Sequence, residues 1–331
     1  MFVIKSHVTK YFLMHGYRYY IKQWKIKIGR YLLLPLFILF SFAVTHISAQ
    51  ISYPFQYYQF FQNISLYNPA GSGLTAPVEL QAGNHSYISY LNAQYSCFNA
   101  NMRFGMGKSN PGIFSTIGLR FTGYNEGKYI SGNRLYAVYS FHARLKDRLY
   151  FGGGIDLGLI HSRIEGTPST GDLSEYVMDG NAGIIIYNQS FHAGISVNQL
   201  ANNFIKPLQE IIILYRHLTF SASNRFIISD NFQISPFTRI CYPYFDDFRI
   251  DLGTRILFHK RYSISFSYRP EEMGSAGIGI QNIKVGNGHV NAGLTYNTPI
   301  RSKVIYTSTV EISLGYFIRK KNINEGYFFT L

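Results

Sequence analysis

The sequence predicts an all-β fold, an antiparallel transmembrane β-barrel of about 14 strands in an outer membrane. Apolar and polar side chains alternate with a period of two through long segments, most clearly over 133–164. The candidate strands are regularly spaced and even in number, as bacterial single-chain barrels require. Short and long connections alternate between them, which is typical of barrels with short periplasmic turns and long external loops.

The segment 133–164 shows the alternation within one hairpin. Apolar side chains occupy every second position of its first half: Leu135, Ala137, Tyr139, Phe141, Ala143 and Leu145. The second half does the same with Leu149, Phe151, Ile155, Leu157 and Leu159. A period of two over this length indicates strands with one apolar and one polar face. Because only residues 146–147 separate the two runs, they form an antiparallel hairpin long enough to cross a bilayer.

Residues 1–49 differ in character from the rest of the chain. They contain seven Lys and Arg residues and no acid, then an apolar run over 31–44 and small residues up to Ala49. This pattern indicates a secretory signal peptide cut before Gln50, with an N-terminal membrane anchor as the alternative. The segment supplies half of the formal net charge of +14, so the basic character does not indicate nucleic-acid binding.

The composition of the chain suits a membrane barrel. Aromatic residues make up 17% and charged residues 15%, with 30 glycines, as expected of interface girdles and tight turns. No run of 18 apolar residues follows position 50, so no transmembrane helix is expected there, and outer-membrane lipid is the expected surrounding. The two cysteines, Cys97 and Cys241, are expected to be unpaired.

The chain after the signal peptide divides into three parts. Residues 50–76 are rich in aromatic and Gln residues, lack strict alternation, and form a lead-in expected to pack against a barrel opening. The barrel is expected over 77–318. Its candidate strands are 78–86, 92–104, 113–124, 133–145, 148–162, 177–188, 190–198, 215–228, 231–241, 247–258, 262–269, 275–284, 289–297 and 306–318. The last part, 319–331, is a periplasmic tail that begins with three basic residues.

The connections predict which end of the barrel faces which compartment. Tight breaks occur near 146–147, 189, 230–231, 259–260 and 286–287. Long links alternate with them at 125–132, 163–176, 199–214, 242–246, 270–274 and 298–305. The long links are therefore expected outside the cell, and both chain ends in the periplasm. Tyr316 and Phe317 are expected as outward aromatics where the last strand leaves the membrane.

The alternation also predicts which charged side chains face the lumen. They are Arg120, Arg134, His142, Arg144, Asp156, Arg239, Arg249, Asp251, Arg255 and Glu311. Such a lumen either binds or conducts a ligand, or is a ladder of ion pairs that satisfy one another. On this view Leu157→Arg, on the lipid face, should hinder assembly by about 2–4 kcal/mol, whereas Asp156→Asn should be mild.

The sequence shows no local sign of an active site or a cofactor site. Motifs of serine hydrolases, zinc peptidases, paired-cysteine metal sites, nucleotide-binding loops and EF-hands are absent. The glycines at 152–154 lie within a strand rather than before a helix, so they do not cradle a phosphate. A non-enzymatic protein without a cofactor or metal is therefore expected.

Several segments carry short motifs in an order found in a known protein family. AQ at 49–50 marks the expected cleavage point, and PF at 54–55, QF at 59–60 and YNPAG at 67–71 follow it. Further motifs are YAVYSFH at 136–142, LYFGGG at 149–154, AGISVNQL at 193–200, GIGIQ at 277–281 and TVEISLGY around Glu311. Together they resemble the PorP/SprF family of type IX secretion system membrane proteins. The family-motif residues singled out are Asn68, Pro69, Gly194 and Ser196. One element departs, because an Arg-x-Gln-Trp motif of the family keeps only Gln94 here.

The resemblance implies a role that the residue pattern alone does not give. It implies an outer-membrane barrel that helps to secrete or anchor cell-surface proteins, including gliding adhesins. The implied partners are these secreted or surface-anchored proteins and a periplasmic, peptidoglycan-associated subunit of the same machinery. A passive porin or ligand channel, which needs an open lumen, and a purely structural membrane protein are the alternatives.

Overall fold

The structure is a computed structural model whose described residues all belong to the compact unit Ala49–Leu331. They are 57, 60–88, 93–105, 112–127, 130–146, 148–166, 172–202, 204–205, 212–244, 247–270, 272–300 and 307–318. The expected signal peptide, 1–49, and the expected tail, 319–331, lie outside them. Among the described residues, no helix is long and apolar enough to span a membrane.

Fourteen antiparallel strands form a closed β-barrel, which confirms the predicted fold class. Their bounds are Val78–Tyr87 (β1), Gln94–Phe104 (β2), Ile113–Glu126 (β3), Ile130–Lys146 (β4), Leu149–Ile164 (β5), Leu173–Tyr187 (β6), Phe191–Asn198 (β7), His217–Asn224 continued by Phe226–Ser229 (β8), Phe232–Tyr244 (β9), Asp247–Phe258 (β10), Tyr262–Arg269 (β11), Met273–Val285 (β12), Gly288–Pro299 (β13) and Thr309–Ile318 (β14). Each strand pairs with the next, and β1 pairs with β14. Closure gives each strand a partner on both sides, as a bilayer demands, although residues 173–181 of β6 extend beyond its pairing with β7.

The two faces of the strands divide as the alternation predicts. In β5, Leu157 points outward and is 63% exposed, whereas its neighbour Asp156 points inward and is 1% exposed. The outer face is a band of exposed apolar side chains that includes Leu119, Leu135, Phe248, Leu252, Phe266, Ile278 and Leu314. Phe317 departs from its expected outward position, because strict alternation along β14 places it on the inner face, where it is 2% exposed.

The connections follow the predicted alternation only in part. Tight turns join β4 to β5, β6 to β7, β8 to β9, β10 to β11 and β12 to β13 at one end of the barrel, called the tight-turn end below. The described parts of β1 and β14 begin and finish at the same end. At the opposite end the links around 163–176, 199–214 and 298–305 are long, as expected.

Three links predicted to be long are short. The links predicted at 125–132, 242–246 and 270–274 shrink because strand pairing continues into them. Glu126 pairs with Ile130, and Arg269 pairs with Met273. Backbone pairing need not stop at the membrane surface, so the side-chain pattern of the membrane-embedded part underestimates strand length. The link at 105–112 adds a longer connection at the tight-turn end.

The lead-in lies inside the lumen rather than against an opening. Its described part, residues 60–76, is called the lumen plug below and contains the short 3-10 turns Phe60–Gln62, Ile64–Leu66 and Pro69–Gly71. Buried plug side chains form one cluster with wall residues of the barrel: Phe61, Ile64, Tyr67, Ala70 and Leu74 with Tyr150, Ile185, Tyr187 and Phe237. The apolar plug side chains thereby leave water, which explains why the segment enters the barrel.

The connection from β7 to β8 also packs inward at the opposite end. It contains a two-stranded pair, Phe204–Ile205 with Ile212–Ile213. Leu214, next in the chain, is buried against Tyr136 and Ile160 of the wall. The lumen therefore receives apolar packing from this connection as well as from the plug.

Candidate functional site

Asn68 joins the lumen plug to two strands of the wall. Its Oδ1 accepts a hydrogen bond from the Ala70 N–H at 3.0 Å and so caps the turn Pro69–Gly71. Its Nδ2 donates to the carbonyl oxygens of Ile184 in β6, at 3.1 Å, and Ile195 in β7, at 3.5 Å. One amide side chain therefore sets both the shape of the turn and its place in the lumen.

Three glycines of the inner face make room for this turn. A Cβ at Gly154 would clash with the backbone of Pro69 and Ala70. A Cβ at Gly183 would clash with the Asn68 side-chain carbonyl, and one at Gly194 would lie 2.8 Å from Asn68 Nδ2. The turn reaches the wall only because these three positions carry no side chain.

Ser196 completes the contact. Its Oγ donates to the Tyr67 carbonyl oxygen at 2.6 Å, across 129 residues of sequence. The four residues singled out from the family motifs, Asn68, Pro69, Gly194 and Ser196, thus belong to one contact between the plug and β6–β7. Their separation in sequence hides this arrangement, because only closure of the barrel around the plug brings them together.

Arg120 in β3 ties the plug to a buried ion pair. Its Nη1 donates to the carbonyl oxygens of Ser65, at 2.7 Å, and Leu66, at 3.2 Å. Its Nη2 donates to Asp156 Oδ2 at 2.7 Å. The other Asp156 oxygen accepts from Asn181 Nδ2 at 2.6 Å. A guanidinium has enough donors to satisfy plug carbonyls and a carboxylate at once, which a lysine does not match in geometry.

A second buried ion-pair network lies on the wall formed by β9–β11. Asp251 accepts from Arg239 Nε at 2.8 Å and Nη2 at 2.6 Å, and from Arg269 Nε at 2.5 Å. Arg239 also donates to the Tyr57 carbonyl oxygen at 3.5 Å. Glu272 accepts from Arg269 at 3.3 Å. Because each carboxylate faces at least one guanidinium, the buried charges compensate one another.

Glu79 and Arg103 fix the end of the plug where it enters β1. The Glu79 carboxylate accepts hydrogen bonds from the N–H groups of Gly73, at 3.1 Å, Thr75, at 2.5 Å, and Ala76, at 2.9 Å. Arg103 of β2 donates to the Gly73 carbonyl oxygen. Neither residue was predicted from the sequence as a site residue, although the alternation of β1 and β2 places both on the inner face.

Nine of the ten residues predicted to face the lumen are buried: Arg120, Arg134, His142, Asp156, Arg239, Arg249, Asp251, Arg255 and Glu311. His142 contacts the Ser140 hydroxyl and the Tyr187 hydroxyl, each at 3.0 Å. Glu311 lies 2.9 Å from His85 Nδ1. Arg144, the tenth, also takes the inner face, but it is exposed because it lies two residues before the end of β4 at the tight-turn end.

A small cavity remains beside the plug. It measures about 70 Å³, lies against β1, β13 and β14, and has polar lining residues that include Gln62, Gln81, Arg255, Asn291 and Ser313. A space of this size holds a few water molecules. Within the described part of the chain, no group of three or more His, Cys, Asp or Glu residues is placed to hold a metal ion. Cys97 and Cys241 are both buried and form no disulfide.

The chain matches a family model over most of its length. The model describes the type IX secretion system membrane protein PorP/SprF, and it matches residues 49–316. The chain belongs to the PorP/SprF family. No curated protein matches its sequence. The family places this barrel among membrane proteins of the type IX secretion system.

Solved structures similar to this PorP/SprF barrel include two of TodX and one of a FadL homologue. A deltaS2 mutant of the monoaromatic hydrocarbon channel TodX has a TM-score of 0.50 and 10% identity, covering 75% of this chain and 92% of that one. The Pseudomonas putida toluene transporter TodX has a TM-score of 0.49 and 10% identity, covering 77% and 93%. A Pseudomonas aeruginosa FadL homologue has a TM-score of 0.48 and 8% identity, covering 75% and 92%. At these identities the likeness concerns the fold alone.

Proposed function

We propose that this PorP/SprF protein is a non-enzymatic outer-membrane component of type IX secretion whose lumen is occupied by its own N-terminal segment. In this role it helps to secrete or anchor cell-surface proteins, including gliding adhesins. Its partners are those exported proteins and a periplasmic, peptidoglycan-associated subunit, and nucleic acid is not among them. The signal peptide at 1–49 delivers the chain to the periplasm, and the tight-turn end faces that compartment.

The contact between the plug and the wall is the observation that supports this proposal best. The plug is held by Asn68, by the carbonyl contacts of Arg120 and by the Glu79 carboxylate, all buried. If the plug left, each of these groups would exchange a hydrogen bond to the protein for one to water, at a net cost of about 0.5–1.5 kcal/mol per bond. A barrel built for passive diffusion has no need of such an anchored segment in its lumen, so the porin alternative is less favoured.

The assigned role is tested by deletion and complementation. Cells that lack the gene should retain type IX cargo in the periplasm, and the full chain should restore its surface display. Planar-bilayer recordings of the purified barrel should show little conductance, and removal of residues 60–76 should raise it. Normal cargo display in the deletion strain, combined with a steady conductance of the intact barrel, would instead identify a porin.

A further inference from the structure

Exposed charged residues at the tight-turn end are almost all basic. The described cations there, called the basic rim below, are Arg144, Lys146, Arg148, Lys260, Arg261 and Lys284, with half-buried Arg225 beside them. The exposed described acid at this end is Asp230, and Asp147, in the turn between β4 and β5, lies outside the described residues. The rim therefore carries a strong local excess of positive charge.

The opposite end has the reverse balance. Among its described side chains that are at least partly exposed, the acids are Glu126, Glu165, Asp172, Glu175 and Glu272, and the bases are Arg163 and Arg216. The described ion pairs lie in the lumen and at this opposite end, not at the basic rim. The positive charge of the rim is therefore a property of one end rather than of the barrel as a whole.

Strand register shows that part of the rim faces the mouth of the lumen rather than the lipid. Arg144 lies opposite Tyr150, whose side chain is buried inside the barrel. Lys284 lies opposite His289, which in turn lies opposite the inward Phe317. Side chains directly opposite one another on paired strands share a face, so Arg144 and Lys284 both take the inner face. Arg261 immediately precedes the outward, exposed Tyr262 and continues the same alternation.

This orientation argues against lipid phosphate as the ligand of the rim. Cations that bind headgroups extend from the lipid-facing side, as Lys146 does opposite the outward Leu149. The residues that flank Arg144 and Lys284 in the sequence are instead apolar, and the lipid-facing neighbour of Arg261 is Tyr262. The charge is therefore presented to a body that covers the mouth from the aqueous side.

We propose that the basic rim docks an acidic face of a periplasmic protein over the mouth of the barrel. This rests on the proposed function, which places the tight-turn end in the periplasm. The cations come from separate turns between strands, so they surround the opening and fit a broad acidic surface better than a single peptide. Solvated charges of this kind chiefly accelerate association and lose their effect in salt.

A binding measurement with a defined probe tests the charge of the rim. The full barrel in nanodiscs of zwitterionic lipid is mixed with a fluorescent deca-glutamate peptide, and the association rate is followed by anisotropy. The variant Arg148→Glu/Lys260→Glu/Arg261→Glu/Lys284→Glu should associate at least about tenfold more slowly than the parent at low salt, and high salt should remove the difference. Arg163→Glu, near the other end of β5, is the matched control and should behave as the parent. Equal rates for the parent and the fourfold variant would overturn the proposal.

Crosslinking in cells identifies what covers the mouth. A photoreactive residue at Arg144, which faces the mouth, should give a protein adduct with an acidic periplasmic protein, and the fourfold variant should lose it. A photoreactive residue at Glu165 on the opposite end should not give this adduct. Adducts with lipid only, or a protein adduct that persists in the fourfold variant, would refute electrostatic docking.

The orientation is measured separately, so that its failure is distinguishable from that of the docking. Lys260→Cys should react with an impermeant maleimide only after the outer membrane is permeabilised. Native Cys97 and Cys241 are buried, so they should not contribute to the labelling. Labelling in intact cells would place the rim outside and overturn the periplasmic partner. It would leave the secretion role to be decided by the deletion strain.

Discussion

At the scale of single residues, polar side chains of the lumen repeatedly form hydrogen bonds with backbone groups of the plug and the wall. The plug carries backbone N–H and C=O groups into a space with little water, where an unmet polar group is costly. Asn68 serves carbonyls of the wall, Arg120 serves carbonyls of the plug, and Glu79 serves N–H groups of the plug. Polar residues on the inner face therefore serve hydrogen bonds to the backbone as much as ion pairing.

Gly154→Ala should displace the plug. The new methyl would meet the backbone of Pro69 and Ala70, which can move only with the whole turn, at a cost of about 1–3 kcal/mol. We expect a raised conductance and a lower temperature for loss of the compact, heat-modifiable form. Gly153→Ala is the control, because its methyl would meet nothing within 4 Å. Identical behaviour of the two variants would show that the plug is not held at Gly154.

Asp156→Asn should be costly, contrary to the expectation from sequence that it is mild. It removes the buried carboxylate that faces Arg120 and leaves that guanidinium charge unbalanced, at about 3–5 kcal/mol. Denaturant unfolding of the barrel in detergent measures the loss. The control is Asp172→Asn at an exposed pair, where a hydrogen bond from Arg163 lowers the pKa of Asp172. No measurable change in the free energy of unfolding is expected for this control. An equally small effect at Asp156 would mean that another group balances the charge of Arg120 or that water solvates it.

The alternation of inward and outward positions is more regular along whole strands than at their end residues. Along β5 from Leu149 to Leu159 the outward positions carry apolar side chains or glycine and are exposed or half-buried. The inward positions are small, polar or packed against the plug, except Ile160, which packs against Leu214. The same strand therefore carries two independent requirements, solubility in lipid outside and fit to the plug inside. Strand ends follow neither requirement, which is why their predicted bounds shift and why Arg144 is exposed.

Leu157→Arg should hinder assembly strongly. Leu157 lies on the outer face within β5, and an Arg near the bilayer midplane costs about 2–4 kcal/mol. The fraction of folded, heat-modifiable barrel recovered from the outer membrane measures the effect. Leu149→Arg is the matched control at the first residue of the same strand, where the cost falls to about 0–1 kcal/mol. Equal losses at the two positions would mean that the depth assignment of β5 is wrong.

In the whole molecule, the N-terminal segment contacts the barrel wall from several sides of the lumen. The plug contacts β1 through Glu79, β3 through Arg120, β7 through Ser196 and β9 through Phe237. These strands lie far apart around the circumference, so the plug cross-links the barrel from within. Charge is distributed along the axis, with the basic rim at one end and most exposed described acids at the other.

Removal of 319–331 should leave the barrel intact and weaken its partner. The described part of β14 ends at Ile318, so its pairing with β1 and β13 does not need the tail. The tail starts with Arg319, Lys320 and Lys321, and it extends the charge of the basic rim in sequence. We expect a heat-modifiable barrel with reduced co-purification of its periplasmic partner at low salt, and high salt should remove the difference from the full chain. Failure to assemble would assign the tail to the last strand, and full retention of the partner would exclude a docking role.

Local sequence patterns were sufficient to predict the strands, most of their faces and the end at which five tight turns lie. A period of two is a local property, so 133–164 reveals its inward and outward positions without knowledge of any neighbour. What fills the lumen is seen only once the barrel has closed. The contacts of Asn68 with Ile195 and of Tyr67 with Ser196 span more than a hundred residues. Which carbonyl a distant side chain meets depends on barrel closure and on the path of the plug, neither of which has a local pattern to encode it.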